Sequence, residues 1–343
     1  MQRRVTKEGP LLSDEGRLLE TGYATSLIRD YNREKIAASA LRIKEWDYYC
    51  VTSERYALAL TIADNGYMGM DSISLIDFDG PGEKTVSKMT LLPLGKRGLP
   101  SHSRQGDISV SGKGYRITFE NDGKKRRLYG HMDGFDQGKS LLFDLALSDP
   151  PRDSMVIMTP FSGHPKAFYY NQKINCLRAE GKAALGDREY LFAPAHSFAV
   201  LDWGRGVWTY DNTWYWGSAS GLIGQTPFGF NIGYGFGDTS AATENMLFFD
   251  GEAHKLSQVK FEIPMKDGQE DYLSPWRFTS DDGRFQMDFV PILDRKANID
   301  FKILQSDQHQ VFGRFSGTAR LDGGREIRVE NLVGFAEKVH NRW

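Results

Sequence analysis

Four short words occur twice along this 343-residue chain, in the same order and about half a chain apart. Trp46-Asp47-Tyr48-Tyr49 has a counterpart in Trp214-Tyr215-Trp216, and Gly66-Tyr67-Met68-Gly69 in Gly233-Tyr234-Gly235. Phe78-Asp79-Gly80 is answered by Phe249-Asp250-Gly251, and Asn121-Asp122-Gly123 by Ser280-Asp281-Asp282-Gly283. The offsets run from 160 to 171 residues. A unit copied once explains both order and spacing; chance recurrence of glycine-aromatic words in a β protein is the plain alternative. Duplication restricts the chain to two similar lobes, each burying one face against its twin.

The repeated unit reads as antiparallel sheet. Tyr115-Arg116-Ile117-Thr118-Phe119-Glu120 alternates large apolar with polar residues, as do Lys260-Phe261-Glu262-Ile263 and Gln286-Met287-Asp288-Phe289. Period two places each class on its own face of a strand. Asn65-Gly66, Asp122-Gly123, Asp250-Gly251, Asp282-Gly283 and Asp322-Gly323 suit hairpins, because both central positions accept positive φ. Thirty-six glycines beside 21 Phe, 15 Tyr and 7 Trp point the same way. One helical stripe, Leu27, Ile28, Tyr31 and Ile36, makes Ala24 to Ile43 a helix candidate. The expected fold is all-β, with two antiparallel β-barrels or half-barrels from an internal duplication and a short N-terminal arm. Residues 1–195 would hold the arm and first barrel, and residues 196–343 the second, joined near Leu191-Phe192-Ala193-Pro194-Ala195-His196. The C-terminus, Phe335 to Trp343, ends on a tryptophan and is expected to dock.

Composition narrows the partners. A net charge of −2 and a pI of about 6.4 give no general pull toward nucleic acid or anionic membrane. Lys124-Lys125-Arg126-Arg127 reads as a solvated hairpin arm that guards an edge. Cys50 and Cys176 make no disulfide framework. With no secretory leader and no integral membrane segment in the pattern, a cytoplasmic location is the default expectation.

Four of the seven tryptophans fall between Asp202 and Trp216. On a strand Asp202, Gly204 and Gly206 face one way, and Trp203, Arg205 and Val207 the other. The glycines leave room for close approach. One reading is a pocket wall for a hydrophobic small molecule, with Trp203, Arg205, Trp208, Tyr210, Asn212, Trp214 and Trp216 as ligand-binding residues. The other is a core plug, with Asp202 bound to Arg205. Glu244 precedes the apolar run Met246-Leu247-Phe248-Phe249. Inside a barrel its carboxyl would be desolvated and keep its proton near neutrality, as a general acid toward an alkene requires. Glu244 and Asp202 are therefore the catalytic candidates, with Trp214 or Trp216 stabilising a developing cation through a ring face. A salt bridge or rim position is the plain reading of Glu244.

Other motifs fall short. His131-Met132-Asp133 offers two ligands, and no metal site is expected. No Gly-x-Ser-x-Gly elbow is present, Gly138-Lys139-Ser140 leads into a strand, and Gly233 to Gly237 lacks a βαβ unit. No cofactor is called for.

Tyr31-Asn32-Arg33, Lys44-Glu45-Trp46-Asp47-Tyr48-Tyr49, Val200-Leu201-Asp202-Trp203-Gly204-Arg205-Gly206, Trp214-Tyr215-Trp216-Gly217-Ser218-Ala219-Ser220-Gly221, Thr243-Glu244-Asn245 and Gly334-Phe335-Ala336-Glu337-Lys338-Val339-His340 carry a resemblance. Over nearly its whole length the sequence resembles a bacterial family known as domain of unknown function 2804, which brings no mechanism with it. At fold level the duplicated barrel grammar is similar to the lipocalin-like (calycin) superfamily, which includes two-barrel carotenoid hydratases and related cyclases. The expected function is binding of an apolar or amphipathic small molecule, lipid- or terpenoid-like, in an aromatic-lined β-barrel pocket. The alternatives are a cofactor-free hydratase, isomerase or cyclase acting on an alkene-containing ligand, and a pocketless scaffold or protein-interaction module. The oligomeric state stays open.

Overall fold

Two curled antiparallel sheets make up the fold, and no α-helix occurs among the described residues, 2–300 and 305–342, of this computed structural model. Across the first sheet the strands run Gly82–Leu91, Met68–Asp77, Tyr56–Asp64, Ile43–Thr52, Phe198–Val207, His164–Leu185, Lys139–Ser148, Arg126–Asp136, Tyr115–Asn121 and Ile108–Gly112. Across the second they run Glu252–Lys255, Met246–Phe249, Thr226–Tyr234, Asp211–Ile223, Glu326–Arg342, Gln305–Arg320, Phe285–Asp300, Trp276–Ser280 and Val259–Glu262. Both sheets trace one path. Three hairpins lead outward from a central strand, the chain crosses to the far edge, and it meanders back until its last strand pairs with its first.

The repeated words sit on this path. Trp46 and Trp214 lie on the two opening strands, the Gly66 and Gly233 words close the second strands, and Phe78 and Phe249 close the third. The fourth pair is out of step by one hairpin when counted back from the last strands, because the first sheet carries one more strand on that side. The chain passes between sheets from Val207 to Asp211, so Phe198–Val207, beyond residue 195, pairs with Ile43–Thr52 in the first sheet.

The helix expected from Ala24 to Ile43 is not formed. That segment holds the ends of short strands, Gly22–Ala24 and Arg29–Asp30, and two single 3-10 turns, Arg33–Lys35 and Ala40–Arg42. Leu27, Tyr31 and Ile36 are buried as the pattern implied, but against a finished sheet. Tyr31 stands edge-on to Trp203 and donates a hydrogen bond to Glu45 at 2.7 Å. An extended segment gains this burial without the cost of nucleating a helix. The arm before it pairs Gly22–Ala24 with Met155–Phe161 and sends Gln2 to the second half, where Thr243 N–H donates to it at 2.7 Å. The basic hairpin is also not fully solvated: Arg126 is buried and donates to the Ser103 carbonyl at 2.8 Å.

The second sheet has its own core of rings, among them Phe230, Phe278, Phe289 and Phe315. The other core fills the first sheet and continues across the seam to Trp216, Phe248, Phe312 and Phe335. The long strand His164–Leu185 keys the sheets together. Its register shifts between Ile174 and Leu177, with Cys176 at φ 62°. The bulge turns Asn175 outward to donate to Ser218 Oγ at 2.9 Å and the Phe230 carbonyl at 3.0 Å. Cys176 N–H donates to Ser220 Oγ at 3.0 Å. Both cysteines are buried and free. The C-terminal strand docks between Asp211–Ile223 and Gln305–Arg320; Trp343 lies outside the described residues.

A Cβ at Gly229 would overlap the sulfur of Cys176. Gly229→Val is therefore expected to lose about 1–3 kcal/mol by overpacking, read as a lowered urea midpoint. Gly80→Val, where a Cβ meets open space, is the control. An unchanged midpoint for Gly229→Val would remove the bulge from the contacts that hold the sheets together.

Candidate functional site

Alternation along Phe198–Val207 divides the expected site residues between two faces of one sheet. Trp203 and Arg205 point into the first sheet's interior. Trp203 stands edge-on to Tyr31 and Tyr170, with the Arg205 guanidinium 4.3 Å from its ring centroid. Arg205 donates to Asp47 at 2.9 Å and to the carbonyls of Trp46, Gly204 and Pro100 at 2.7–2.8 Å. The candidate ion pair of Asp202 with Arg205 is thus absent, because residues three apart on a strand face opposite ways. Asp202 instead faces the seam, where Lys173 lies 2.9 Å from it and Asn171 donates to it at 2.6 Å. The Lys173 ammonium also lies 4.0 Å from the Trp216 ring centroid, so that ring face already holds a cation.

A cluster of carboxyls gathers around this pair. Glu244 sits between Thr226–Tyr234 and Met246–Phe249, and its backbone is pinned from both sides. Asn231 donates to its carbonyl at 3.0 Å, and the neighbouring Asn245 accepts from Gly233 N–H at 2.6 Å. Its carboxyl occupies the space a Cβ of Gly233 would fill. Both carboxyl oxygens are buried without a hydrogen-bond partner among the described residues. Burial pushes the Glu244 carboxyl up to about 7; Lys173 opposes this, and Asp202 and Glu337 add to it. Glu337 is likewise raised to about 7 by burial, although Trp214 Nε1 donates to it at 3.1 Å and Gln310 at 2.9 Å. The Tyr169 hydroxyl is buried without a hydrogen-bond partner among the described residues; burial above all, with the Glu244, Asp202 and Glu337 charges adding to it, keeps its proton on.

Aromatic rings separate this cluster from solvent. Trp208 packs on Trp46, Phe161, Tyr169, Trp214 and Phe236 with centroids 5.3–6.1 Å apart. Tyr169 stacks on Phe236 at 5.0 Å, and Phe236 lies 5.8 Å from the Lys173 ammonium. On the outer side of Trp208 opens a cleft of about 670 Å³, lined by Leu41, Arg42, Lys44, Phe161, Ser162, His164, Trp208, Thr209, Tyr210 and Asp211. Of the ligand-binding candidates, Trp208 and Tyr210 line the cleft. Trp214 stands behind it on Glu337, and Trp216 donates to Asn231 at 2.7 Å. Asn212 closes a turn by donating to the Thr209 carbonyl at 2.6 Å. Lys173, Glu337, Tyr169 and Phe236 were not singled out in sequence. A lysine inside the run Tyr169 to Leu177 was the available signal for Lys173, and Glu337 lay within a family word.

Among the described residues no group of His, Cys, Asp and Glu could hold a metal ion, and no helix is long and apolar enough to cross a membrane.

Residues 2–343 match the family described as Domain of unknown function (DUF2804). No curated protein matches the chain. Among solved structures, a putative AttH from Nitrosomonas europaea has a TM-score of 0.56 at 14% identity, covering 90% of this chain and 96% of that one. Kievitone hydratase from Nectria haematococca has a TM-score of 0.51 at 12% identity, covering 97% and 98%. At such identities the likeness is one of fold.

The raised acids leave a signature in stability. A carboxyl with a native pKa of about 7 in place of the ordinary 4.5 keeps its proton where the unfolded chain has released it. Its stabilisation is full below about 4.5 and is lost as pH rises through about 7. Glu244→Gln, always neutral, escapes that loss. The variant is expected to exceed the wild type by about 3 kcal/mol at pH 8 and to match it near pH 4.5, measured by urea unfolding. The same difference at both pH values would show that Glu244 is not desolvated.

Proposed function

The chain belongs to the domain of unknown function 2804 family, and on that premise we propose that it takes up an apolar or amphipathic, lipid- or terpenoid-like small molecule and protonates an alkene in it without a cofactor. The observation that carries this reading is Glu244, a buried carboxyl with no ion pair and no hydrogen bond among the described residues, raised to about 7. A structural role would satisfy those oxygens; leaving them bare costs free energy that a proton donor turns to use. Near neutrality the group is divided between acid and carboxylate, which suits a general acid that must be recharged.

The step balances within the protein and water. The O–H bond of Glu244 breaks as its proton bonds to one alkene carbon through the π pair. A water lone pair then bonds to the neighbouring carbon, and the proton that water releases restores the acid. Loss of a proton from an adjacent carbon to the Glu244 carboxylate, the C–H pair forming the new double bond, completes an isomerisation in place of water capture and restores the acid. Asp202 is less suited to the donor role, since Lys173 and Asn171 already occupy it. Glu337 can receive a proton, held in place by Trp214 and Gln310. The ligand would reach the cluster from the cleft past Trp208. A hydratase among the proteins of similar fold agrees with this chemistry.

Native mass spectrometry of the protein purified from its own host is expected to reveal a co-purified hydrophobic molecule. Returned to the wild type in D2O, that molecule should gain carbon-bound deuterium; Glu244→Gln should bind it and leave it unlabelled. Binding without labelling by the wild type means a carrier. Labelling by Glu244→Gln removes Glu244 from the chemistry.

A further inference from the structure

Strand pairing sorts the residues of His164–Leu185 by face. Tyr169, Asn171 and Lys173 stand opposite Gly206, Gly204 and Asp202. They share the seam face with Asp202, while Tyr170 meets Trp203 inside the first sheet. All three are buried, at 0, 0 and 1% exposure. Lys173 is paired with Asp202 at 2.9 Å. The other two each keep one polar atom unpartnered among the described residues: the Tyr169 hydroxyl and Asn171 Oδ1. The amide of Asn171 is fixed in that sense, because its Nδ2 donates at 2.6 Å to Asp202, the carboxylate that Lys173 holds. Burial, and after it the Glu244 charge ahead of those of Asp202 and Glu337, keeps the Tyr169 proton in place to be donated.

Glu244 completes the set from the second half. Phe236 stacks on Tyr169 with centroids 5.0 Å apart, and its ring borders the space beside Gly233 that the Glu244 carboxyl fills. A buried donor, a buried acceptor and a buried carboxyl thus lie unmatched at one seam, and buried polar groups are rarely left so without a reason. An O–H group answers both neutral members at once, accepting from Tyr169 and donating to Asn171 Oδ1. We infer that Tyr169 and Asn171 hold the oxygen that is added to the ligand, as water before the step and as the ligand's own hydroxyl after it. The inference deepens the proposed function and rests on an apolar ligand reaching Glu244. It makes the product a buried alcohol at the reacting end of the ligand. The water accepts from Tyr169, donates one hydrogen to Asn171 and the other to the Glu244 carboxylate left by proton transfer, and keeps one lone pair for carbon. As that pair forms the C–O bond, the hydrogen facing Glu244 passes to its carboxylate. The other hydrogen stays on the product hydroxyl.

Two probes that differ by one water test this: limonene, and α-terpineol, the tertiary alcohol that hydration of its side-chain double bond gives. Each is equilibrated with the full chain, and the bound fraction is read by gas chromatography. Tyr169→Phe removes one oxygen from a ring that keeps its stacking. It is expected to weaken α-terpineol about five-fold or more, the scale of one hydrogen bond, and to leave limonene unchanged. An equal effect on both probes, or none on either, would overturn the oxygen seat while leaving the uptake of an apolar ligand. A lowered urea midpoint for Tyr169→Phe with an unchanged ratio of the two affinities would put only a structural water on Tyr169, and overturns the inference as well. No binding of either probe by the wild type would overturn the proposed uptake and the oxygen seat together.

Discussion

Ionisable side chains sit out of water where the two sheets meet, and much of the molecule is arranged around that fact. Burying an isolated charge costs more than a fold can supply, so each must be paired, hydrogen-bonded or neutralised. Asp202 is paired with Lys173, and Glu337 accepts from Trp214 and Gln310. Glu244 has neither provision among the described residues and is met by the third route, burial favouring its protonated form. Its supports are backbone and amide groups: Asn231 bridges the Trp216 indole and the Glu244 carbonyl, Asn245 holds Gly233, and Gln2 of the arm closes on Thr243. Among the described residues the Glu244 carboxyl is the one acid of this cluster that the network leaves without a hydrogen bond.

The location of that deficit follows from how the two sheets are filled. In the second, Phe230, Phe278 and Phe289 surround Phe315 at 4.4–5.5 Å, leaving a ring-packed interior. In the first, Trp203 and Arg205 take the inner face of the strand that carries Asp202. The shared face is where polar groups from both halves converge. The Asn175-Cys176 bulge fixes the approach of the sheets, so the distances between Lys173 and the groups on Asp211–Ile223 are set by backbone geometry as well as by side-chain rotamers.

The aromatic layer around Trp208 gives the site two sides. Toward solvent it floors the cleft; toward the seam it packs on Tyr169, Trp214 and Phe236. On the proposed reading, a proton donor kept behind these rings would be shielded from bulk water, which would favour transfer to carbon over exchange with solvent. The same rings would then supply the apolar surface for the proposed ligand at the threshold.

Alternation, hairpin dipeptides and repeated words determined the all-β class and the doubled path, because period two and positive-φ turns are local properties that survive any tertiary arrangement. They also placed Trp203 and Asp202 on opposite faces, and the apolar run after Glu244 marked that residue as one to be buried. Ala24 to Ile43 misled, since its stripe is served equally by an extended chain laid on a finished sheet. What only the tertiary structure decided was partnership. Lys173 meets Asp202 through strand pairing between residues 29 apart, Glu337 comes to the cluster from the last strand, and Lys44 meets Tyr67 across a hairpin. A carboxyl's proton affinity depends on every charge and dipole around it in three dimensions, so one-dimensional order could propose Glu244 but could not say what, if anything, would neutralise it.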